Sequence, residues 1–483
     1  MRDLLELSPS ERAALGRAAL DWVLHYFDRA ASPPLYPSVG AAELRALVAQ
    51  PLPQSPQDPL QVLEQFARVA ALGRNNGHPR MFGYVQSSGN FAGAIGDFLA
   101  SALNQNVTSW RSAPSATTIE LQVIDWIKAF IGAESMAAGI LVAGGSAANL
   151  AGLMAALRAS TTVDVIAHGV AALPGPPCIY ASDRVHMSIA KAAGLIGLGR
   201  AAVRAVRTRE DGSIDVADLE RAIAADRAAG AHQVCVVANA GEVNAGAIDP
   251  FDDIADVCSA NGLWLHVDGA YGGFAARVPS LAPAFAGMVR ADSLTLDPHK
   301  WLFAPVDVGC LLVRDARHLR AAFSQGASYI DVVADREMSD FAFWDVSPEL
   351  SRRFRALKIW FAVKCHGAAA FIQTIERNVA LAQRLASAIA ASDDFECLAP
   401  VPLSIVCFRY APAPLRGNDE ALNTLNRRLM VDIQRGGSSY VSNAMLGSTF
   451  ALRACIVNHR TSEADIPTLL DDIRRVANGL GGA

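Results

Sequence analysis

Apolar residues recur along this chain at two spacings, and the change from one to the other predicts its organisation. Residues 8–28 and 41–49 carry them at helical spacing, with the proline-rich stretches 32–37 and 51–59 between and after. From about residue 85 to 367 the pattern is different. Short apolar runs at 139–143, 178–181, 234–240, 264–268, 293–296 and 308–313 read as strands, and helical stretches such as 216–229 and 251–260 separate several of them. Strands alternating with helices predict an α/β fold with a largely parallel sheet covered on both faces. The remainder offers helices at 371–391, 419–434 and 463–478 and strands at 404–410 and 451–457, which suits a smaller α+β unit. The predicted organisation is a helical arm (1–84), a large domain (85–370) and a small C-terminal domain (371–483). The arm has little core of its own, so it is expected to pack against a second copy in a homodimer.

Composition narrows the class. With 483 residues, 52% of them hydrophobic, the chain is long enough for a large core and two or three subdomains. A net charge of −5 and the lack of a basic tract argue against a nucleic-acid partner. The first residues carry acids and no long apolar run, and no apolar stretch is long enough for a bilayer, so neither a signal peptide nor a membrane span is expected. Eight scattered cysteines form no Cys-x-x-Cys pair. Reduced, buried thiols in a cytoplasmic enzyme are expected, without disulfides or a metal site.

The chemistry concentrates in a few segments. Asp297-Pro298-His299-Lys300-Trp301 places an amine and an imidazole just past a predicted strand. Of the five lysines, Lys128, Lys191, Lys358 and Lys364 fall in helical patterns; Lys300 alone sits at a strand end, where α/β folds build their sites. Asp268 ends the apolar run 264–268, and a buried carboxylate needs a cationic partner. A lysine able to form a Schiff base and an acid able to hold a protonated pyridine nitrogen together suggest pyridoxal phosphate. Gly144-Gly145-Ser146 follows a strand and opens a helix, so its backbone amides and the Ser146 hydroxyl suit a phosphate. Close strand–helix packing explains the same small residues equally well until Lys300 is considered. Ala270 leaves room for a flat ring. His186 follows another strand end and is placed to stack on such a ring; His299 is a candidate for contact with cofactor or substrate. His266, two residues before Asp268, is read as pointing away from the site into the core.

In this order these residues resemble the group II pyridoxal-phosphate-dependent amino-acid decarboxylases, the family of aromatic-L-amino-acid decarboxylase. The resemblance runs from Tyr36-Pro37 through His78-Pro79-Arg80-Met81-Phe82-Gly83-Tyr84, Ser109-Trp110-Arg111 and Glu120, the glycine loop, His186, residues 241–246, Asp268 and His299-Lys300 to Arg352-Arg353-Phe354-Arg355-Ala356-Leu357-Lys358. It implies fold type I, with a mainly parallel seven-stranded-type sheet and an obligate dimer with sites at its interface. It also implies decarboxylation of an L-amino acid to an amine and carbon dioxide. By resemblance Lys300 carries the cofactor, Asp268 faces the ring nitrogen and His186 stacks and can deliver a proton. Gly145, Ser146 and His299 lie on the phosphate side, and Tyr84 and Ser87 lie near the substrate. Phe82, Tyr84 and Trp110 point to an aromatic substrate or equally to packing, while Arg111 keeps an acidic substrate open.

Three positions depart from the family pattern. Asp297 stands where many relatives carry asparagine, and Glu242-Val243-Asn244 where threonines are common. Many decarboxylases also carry a tyrosine in a mobile loop before Arg352. The stretch 340–346 here has none, Phe343 being the nearest match and Tyr329 an upstream alternative. That tyrosine resembles a general acid, and relatives with phenylalanine there often resemble aldehyde synthases, which release aldehyde, ammonia and peroxide. An aldehyde synthase is therefore the second reading. An aminotransferase-like protein, with Arg453 pinning the substrate carboxylate, is the third.

Overall fold

The computed structural model describes residues 5–32, 34–324 and 341–480. Its centre is a seven-stranded sheet formed by β1 (Ala138–Val142), β2 (Pro177–Ser182), β3 (Val203–Val206), β4 (His232–Asn239), β5 (Trp264–Gly269), β6 (Ser293–Leu296) and β7 (Gly309–Val313). The order across the sheet is β1-β7-β6-β5-β4-β2-β3. β7 is antiparallel to both its neighbours, β1 and β6, and every other pairing is parallel. Six strands therefore run the same way. Covered on both faces, β5, β6 and β7 are buried at every position, the polar His266, Ser293 and Thr295 included; only β7 reads as a continuous apolar run.

A second sheet joins β8 (Phe395–Cys397), β9 (Ile405–Tyr410), β10 (Ser442–Leu446) and β11 (Thr449–Cys455) in the order β10-β11-β9-β8, all antiparallel. The segment before Tyr84 docks on it. Phe82 N–H donates to the Tyr440 carbonyl at 2.8 Å, its own carbonyl accepts from Cys455 N–H at 2.8 Å, and its ring is fully buried with Phe408 and Phe450. Phe82 is thus a core residue of the small sheet rather than a substrate contact.

Strands β3, β8 and β10 were not expected. β3 is a short edge strand with an arginine in it, β8 has three residues, and β10 (Ser-Asn-Ala-Met-Leu) alternates burial without a β-branched residue. The N-terminal helices Pro9–Asp28, Ala41–Val48 and Pro59–Ala70 contain no buried residue. The first is well started all the same: Ser8 and Glu11 cap it reciprocally, each backbone N–H donating to the other's side chain. The eight cysteines are unpaired. Six are buried, and Cys365 and Cys397 are exposed.

One buried ion pair ties distant segments together. Arg352 donates to the Val107 carbonyl at 2.8 Å and the Leu141 carbonyl at 2.8 Å, and contacts the Glu120 carboxylate, with both side chains essentially out of water. The Phe343 ring lies under the guanidinium, 3.9 Å from carbon to centroid. Burial pushes the Glu120 carboxyl up and Arg352 opposes the shift. Glu120→Leu strands the guanidinium and is expected to cost about 3–5 kcal/mol, read as a lowered denaturation midpoint. Removing the exposed Asp125 from its pair with Lys128 is expected to cost under about 1 kcal/mol.

Candidate active site

Because six strands share a direction, their carboxyl ends gather along one edge of the sheet, and the loops beyond them carry the reactive side chains. Gly144 and Ser146 follow β1, His186 follows β2, Asn239 ends β4, Asp268 is the penultimate residue of β5, and Asp297, His299 and Lys300 follow β6. They line a single cavity of about 700 Å³ together with Tyr84, Gly145, Ala270, Tyr271, Glu242 and, from the small sheet, Ser442 and Arg453. The sequence-derived set Gly145, Ser146, His186, Asp268, Ala270, His299, Lys300 and Tyr84 thus converges on one site.

Three other candidates lie off that cavity. Ser87 is buried, its hydroxyl donating to the His299 carbonyl at 2.8 Å, so it supports the lysine segment from behind. Trp110 is held by its backbone N–H to the Phe341 carbonyl at 2.9 Å, away from the site. Phe343 is fully buried against Arg352 and Phe341. The phenyl group fills core space there, and it does not face this chain's cavity. Tyr329 and Asp340 lie outside the described residues.

The glycine loop opens the helix Gly145–Ala159, whose first amides have no partner within the helix. Its smallness is required: a Cβ on Gly145 would lie 2.9 Å from the Ala270 Cβ and 2.8 Å from Asp297 Oδ2. Lys300 Nζ lies 3.1 Å from Asp297 Oδ2. Tyr84 stands at the mouth, half exposed, with its φ of 63° in the left-handed region. Its N–H donates to Ser442 Oγ at 3.2 Å and its hydroxyl meets that of Tyr440 at 3.3 Å, so the small sheet sets its position. Tyr271 stacks on Trp301 with centroids 5.0 Å apart and is anchored by Ser404.

Asn149, one helical turn into the Gly145–Ala159 helix, organises the acid and both histidines. Its amide nitrogen donates to Asp268 Oδ2 at 2.8 Å and to Ser188 Oγ at 2.9 Å. Its oxygen must therefore accept, and it takes the Nε2 hydrogen of His266 at 3.0 Å. His266 Nδ1 then accepts from Ser293 Oγ at 2.7 Å, and Ser293 in turn accepts from Trp264 Nε1 at 2.8 Å. On the other side Ser188 donates to His186 Nδ1 at 2.8 Å, and the Ser188 N–H reaches the same nitrogen at 3.2 Å. The neutral His186 ring therefore carries its hydrogen on Nε2. Burial lowers His186 below the ordinary histidine range, opposed by Asp268, and pushes His266 down to about 4. The second carboxylate oxygen of Asp268 accepts from Ala270 N–H at 3.1 Å. His266 is in the core, as expected, but it braces Asp268 through Asn149 rather than standing apart from the site.

Sequence reasoning missed Asn149 and Ser188, since an asparagine amid small helical residues carries no signal of its own. Two positions singled out from the sequence have definite structural work: Glu242, a departure from the family pattern, and Arg453, the candidate partner of a substrate carboxylate. Glu242 accepts from Asn244 N–H at 2.7 Å and from Ala245 N–H at 2.5 Å, closing its own turn. Arg453 donates to the Asn244 and Val243 carbonyls at 3.0 and 2.7 Å and to Ser442 Oγ at 3.3 Å.

These features fit pyridoxal phosphate: an amine, a braced acid, an imidazole, and a helix start that a single Cβ would obstruct. Comparison with known proteins agrees. Residues 42–411 match the pyridoxal-dependent decarboxylase conserved domain, and the chain belongs to that family of pyridoxal-phosphate-dependent amino-acid decarboxylases. It is 34% identical over 478 residues to an aromatic-L-amino-acid decarboxylase of Bacillus atrophaeus, covering 99% of this chain and 98% of that one. Its fold matches an Oryza sativa TDC crystallised with PLP and tryptamine, with a TM-score of 0.90 at 27% identity over 99% of this chain and 100% of the other. It also matches the 4-hydroxyphenylacetaldehyde synthase of Rhodiola rosea, with a TM-score of 0.86 at 26% identity over 98% of this chain and 99% of the other.

Asn149→Leu keeps the γ-branched shape of the side chain, with added bulk, but leaves Asp268, Ser188 and His266 each short of a partner. Cofactor affinity is expected to fall by at least about tenfold, since each unpaired buried polar group costs on the order of 1–3 kcal/mol. Titration of the apo-protein with cofactor, followed by absorbance, checks it.

Proposed function

We propose that this enzyme decarboxylates an aromatic L-amino acid to its amine. The observation that carries the reading is the convergence of Lys300, the braced Asp268 and His186 on one cavity whose mouth is set by Tyr84. The names of the relatives favour an aromatic substrate, and Tyr84, Tyr271, Val85 and Val306 give the cavity apolar surface for one.

Pyridoxal phosphate, when bound, supplies an aldehyde for the amino group and a ring that withdraws electrons from the bond to be broken. The chain's residues do the rest. Lys300 Nζ is the amine that would hold the cofactor and give way to the substrate's. Asp268, fixed by Asn149 and Ala270 N–H, would hold the ring nitrogen and stabilise positive charge there. The His186 imidazole, its tautomer set by Ser188, would lie beside the ring with its Nε2–H side free of that bond. Ser146 and the amides of the glycine loop take the phosphate, with His299 beside them.

Amine formation is favoured over aldehyde formation because the absent hydroxyl at residue 343 is a weak warrant: Phe343 is buried under Arg352 and off the cavity. The likeness to an aldehyde synthase keeps that product as a second reading, with the same first bond broken. An aminotransferase role is disfavoured, since Arg453 directs its donors to backbone carbonyls and Ser442.

The enzyme is also proposed to act as a homodimer in the cytoplasm. Its N-terminal helices leave Leu24, Tyr26, Leu47, Val48, Val62 and Phe66 exposed, an apolar surface that a second copy would cover. Free thiols suit a reducing compartment. No helix among the described residues is long and apolar enough to cross a membrane.

A product assay under air with a panel of L-amino acids tests the reaction. Carbon dioxide with equal amine and no peroxide is expected; aldehyde with peroxide would replace this reading by the second. Lys300→Ala is expected to abolish turnover and the borohydride-reducible link to the cofactor, and survival of both would remove the lysine assignment. Sedimentation is expected to give twice the 51.0 kDa chain mass, and a monomer would refute the dimer.

A further inference from the structure

Asp297 has no part in the chemistry above, yet it is 2% exposed and its Oδ1 has no hydrogen-bond partner. It is wedged behind the glycine loop: a Cβ on Gly309 would lie 2.8 Å from Oδ1, and one on Gly145 2.8 Å from Oδ2. Its Oδ2 faces two basic groups, Lys300 Nζ at 3.1 Å and His299 Nε2 at 3.7 Å. The His299 ring touches the same loop, its Cε1 lying 3.1 Å from the place a Cβ on Gly144 would take.

The hydrogen on His299 can be located. Val308 presents both its N–H, at 3.2 Å, and its carbonyl, at 2.6 Å, to Nδ1. The shorter contact, to the carbonyl, requires a hydrogen on Nδ1. In a neutral ring Nε2 then carries only a lone pair, and it faces a carboxylate. Burial holds His299 below the ordinary histidine range; Asp297 opposes this, while Lys300 and, more remotely, Lys358 reinforce it. His186 and Cys310 also feel the charge of Asp297.

Cofactor binding changes this balance twice. Lys300 Nζ, if it held the cofactor, would no longer stand beside Asp297 as a free ammonium. The phosphate brings up to about two negative charges to the loop that His299 touches. An imidazole takes a proton far more readily than a carboxylate, about 6.5 against about 3.9 in ordinary pKa, and opposite charges within ~4–6 Å favour its charged form.

We propose that Asp297 makes His299 an imidazolium when the cofactor phosphate is seated, so that a full cation stands between the acid and the phosphate. An asparagine at 297 would leave the ring neutral. Asp297 is thus a positioning residue that acts through His299. The proposal rests on the phosphate-cradle reading given under Proposed function.

The sign of the pH effect follows. His299 is held low without cofactor and raised with it, so binding takes up one proton in the window between those two values. Wild-type cofactor affinity falls across that window as pH rises, by up to about tenfold per unit for one proton. The decisive measurement is NMR of protein labelled at histidine Cε1, with the His299 resonance assigned by His299→Gln, in the apo- and cofactor-loaded states. Expected is an imidazolium signal at neutral pH in the loaded wild type and a neutral signal in loaded Asp297→Asn, together with a flatter pH dependence of affinity in that variant. A neutral ring in the loaded wild type, or a charged ring in both proteins, overturns the proposal. Pyridoxal without the phosphate is the control for the cradle. If it moves the His299 signal as the phosphorylated cofactor does, the cradle reading falls and the Asp297 proposal with it. If only the phosphorylated cofactor moves the signal but the ring stays neutral, the cradle stands and the Asp297 proposal alone is lost.

Discussion

Asp268 is a carboxylate held 8% exposed near the carboxyl end of the central strand of the sheet, and its burial sets the terms for what surrounds it. A carboxylate out of water must be hydrogen-bonded or facing a cation. Here Asn149 and the Ala270 N–H satisfy it from the protein side, and the cavity offers the place for a cation. Because Asn149 also directs His266 and Ser188, one amide sets the tautomers of two histidines and the aim of one acid. The chain from Trp264 through Ser293, His266, Asn149 and Ser188 to His186 runs from the core to the cavity with a donor matched to an acceptor at every step.

The large sheet makes that arrangement possible. Six strands of common direction bring their ends to one edge, so residues more than a hundred positions apart, such as Asn149 and Asp268, meet without long loops. The small sheet contributes differently. By pairing with residues 81–84 and supplying Ser442, Tyr440 and Arg453, it fixes Tyr84 at the mouth. The candidate site therefore depends on both sheets, and the Arg352–Glu120 pair ties the segment before the helix Ala356–His366 to β1 and to the turn at Val107.

Much of the site was legible because its residues sit where a period changes. Lys300 stood out by elimination, since the other lysines lie in helices, and Asp268 stood out as a charge closing an apolar run. Asn149 gave no such signal: in sequence it is a polar residue within a run of small ones, and its role exists only when β5 lies alongside its helix. Phe343 shows the opposite error. Its place in the chain matched the loop position of the family's tyrosine, but its ring is buried against the Arg352 guanidinium.

The sequence by itself determined the α/β class and six of the seven strands of the large sheet, and it marked the candidate lysine, acid and glycine loop, because each follows from local period or from the geometry that small residues permit. Tertiary structure alone decided the reversed direction of β7, the strands β3, β8 and β10, the placement of Phe82 in the small core, and the hydrogen-bond chain through Asn149. Those depend on which surfaces meet across the fold, and no local pattern encodes the donor that a buried acceptor finds on a distant strand.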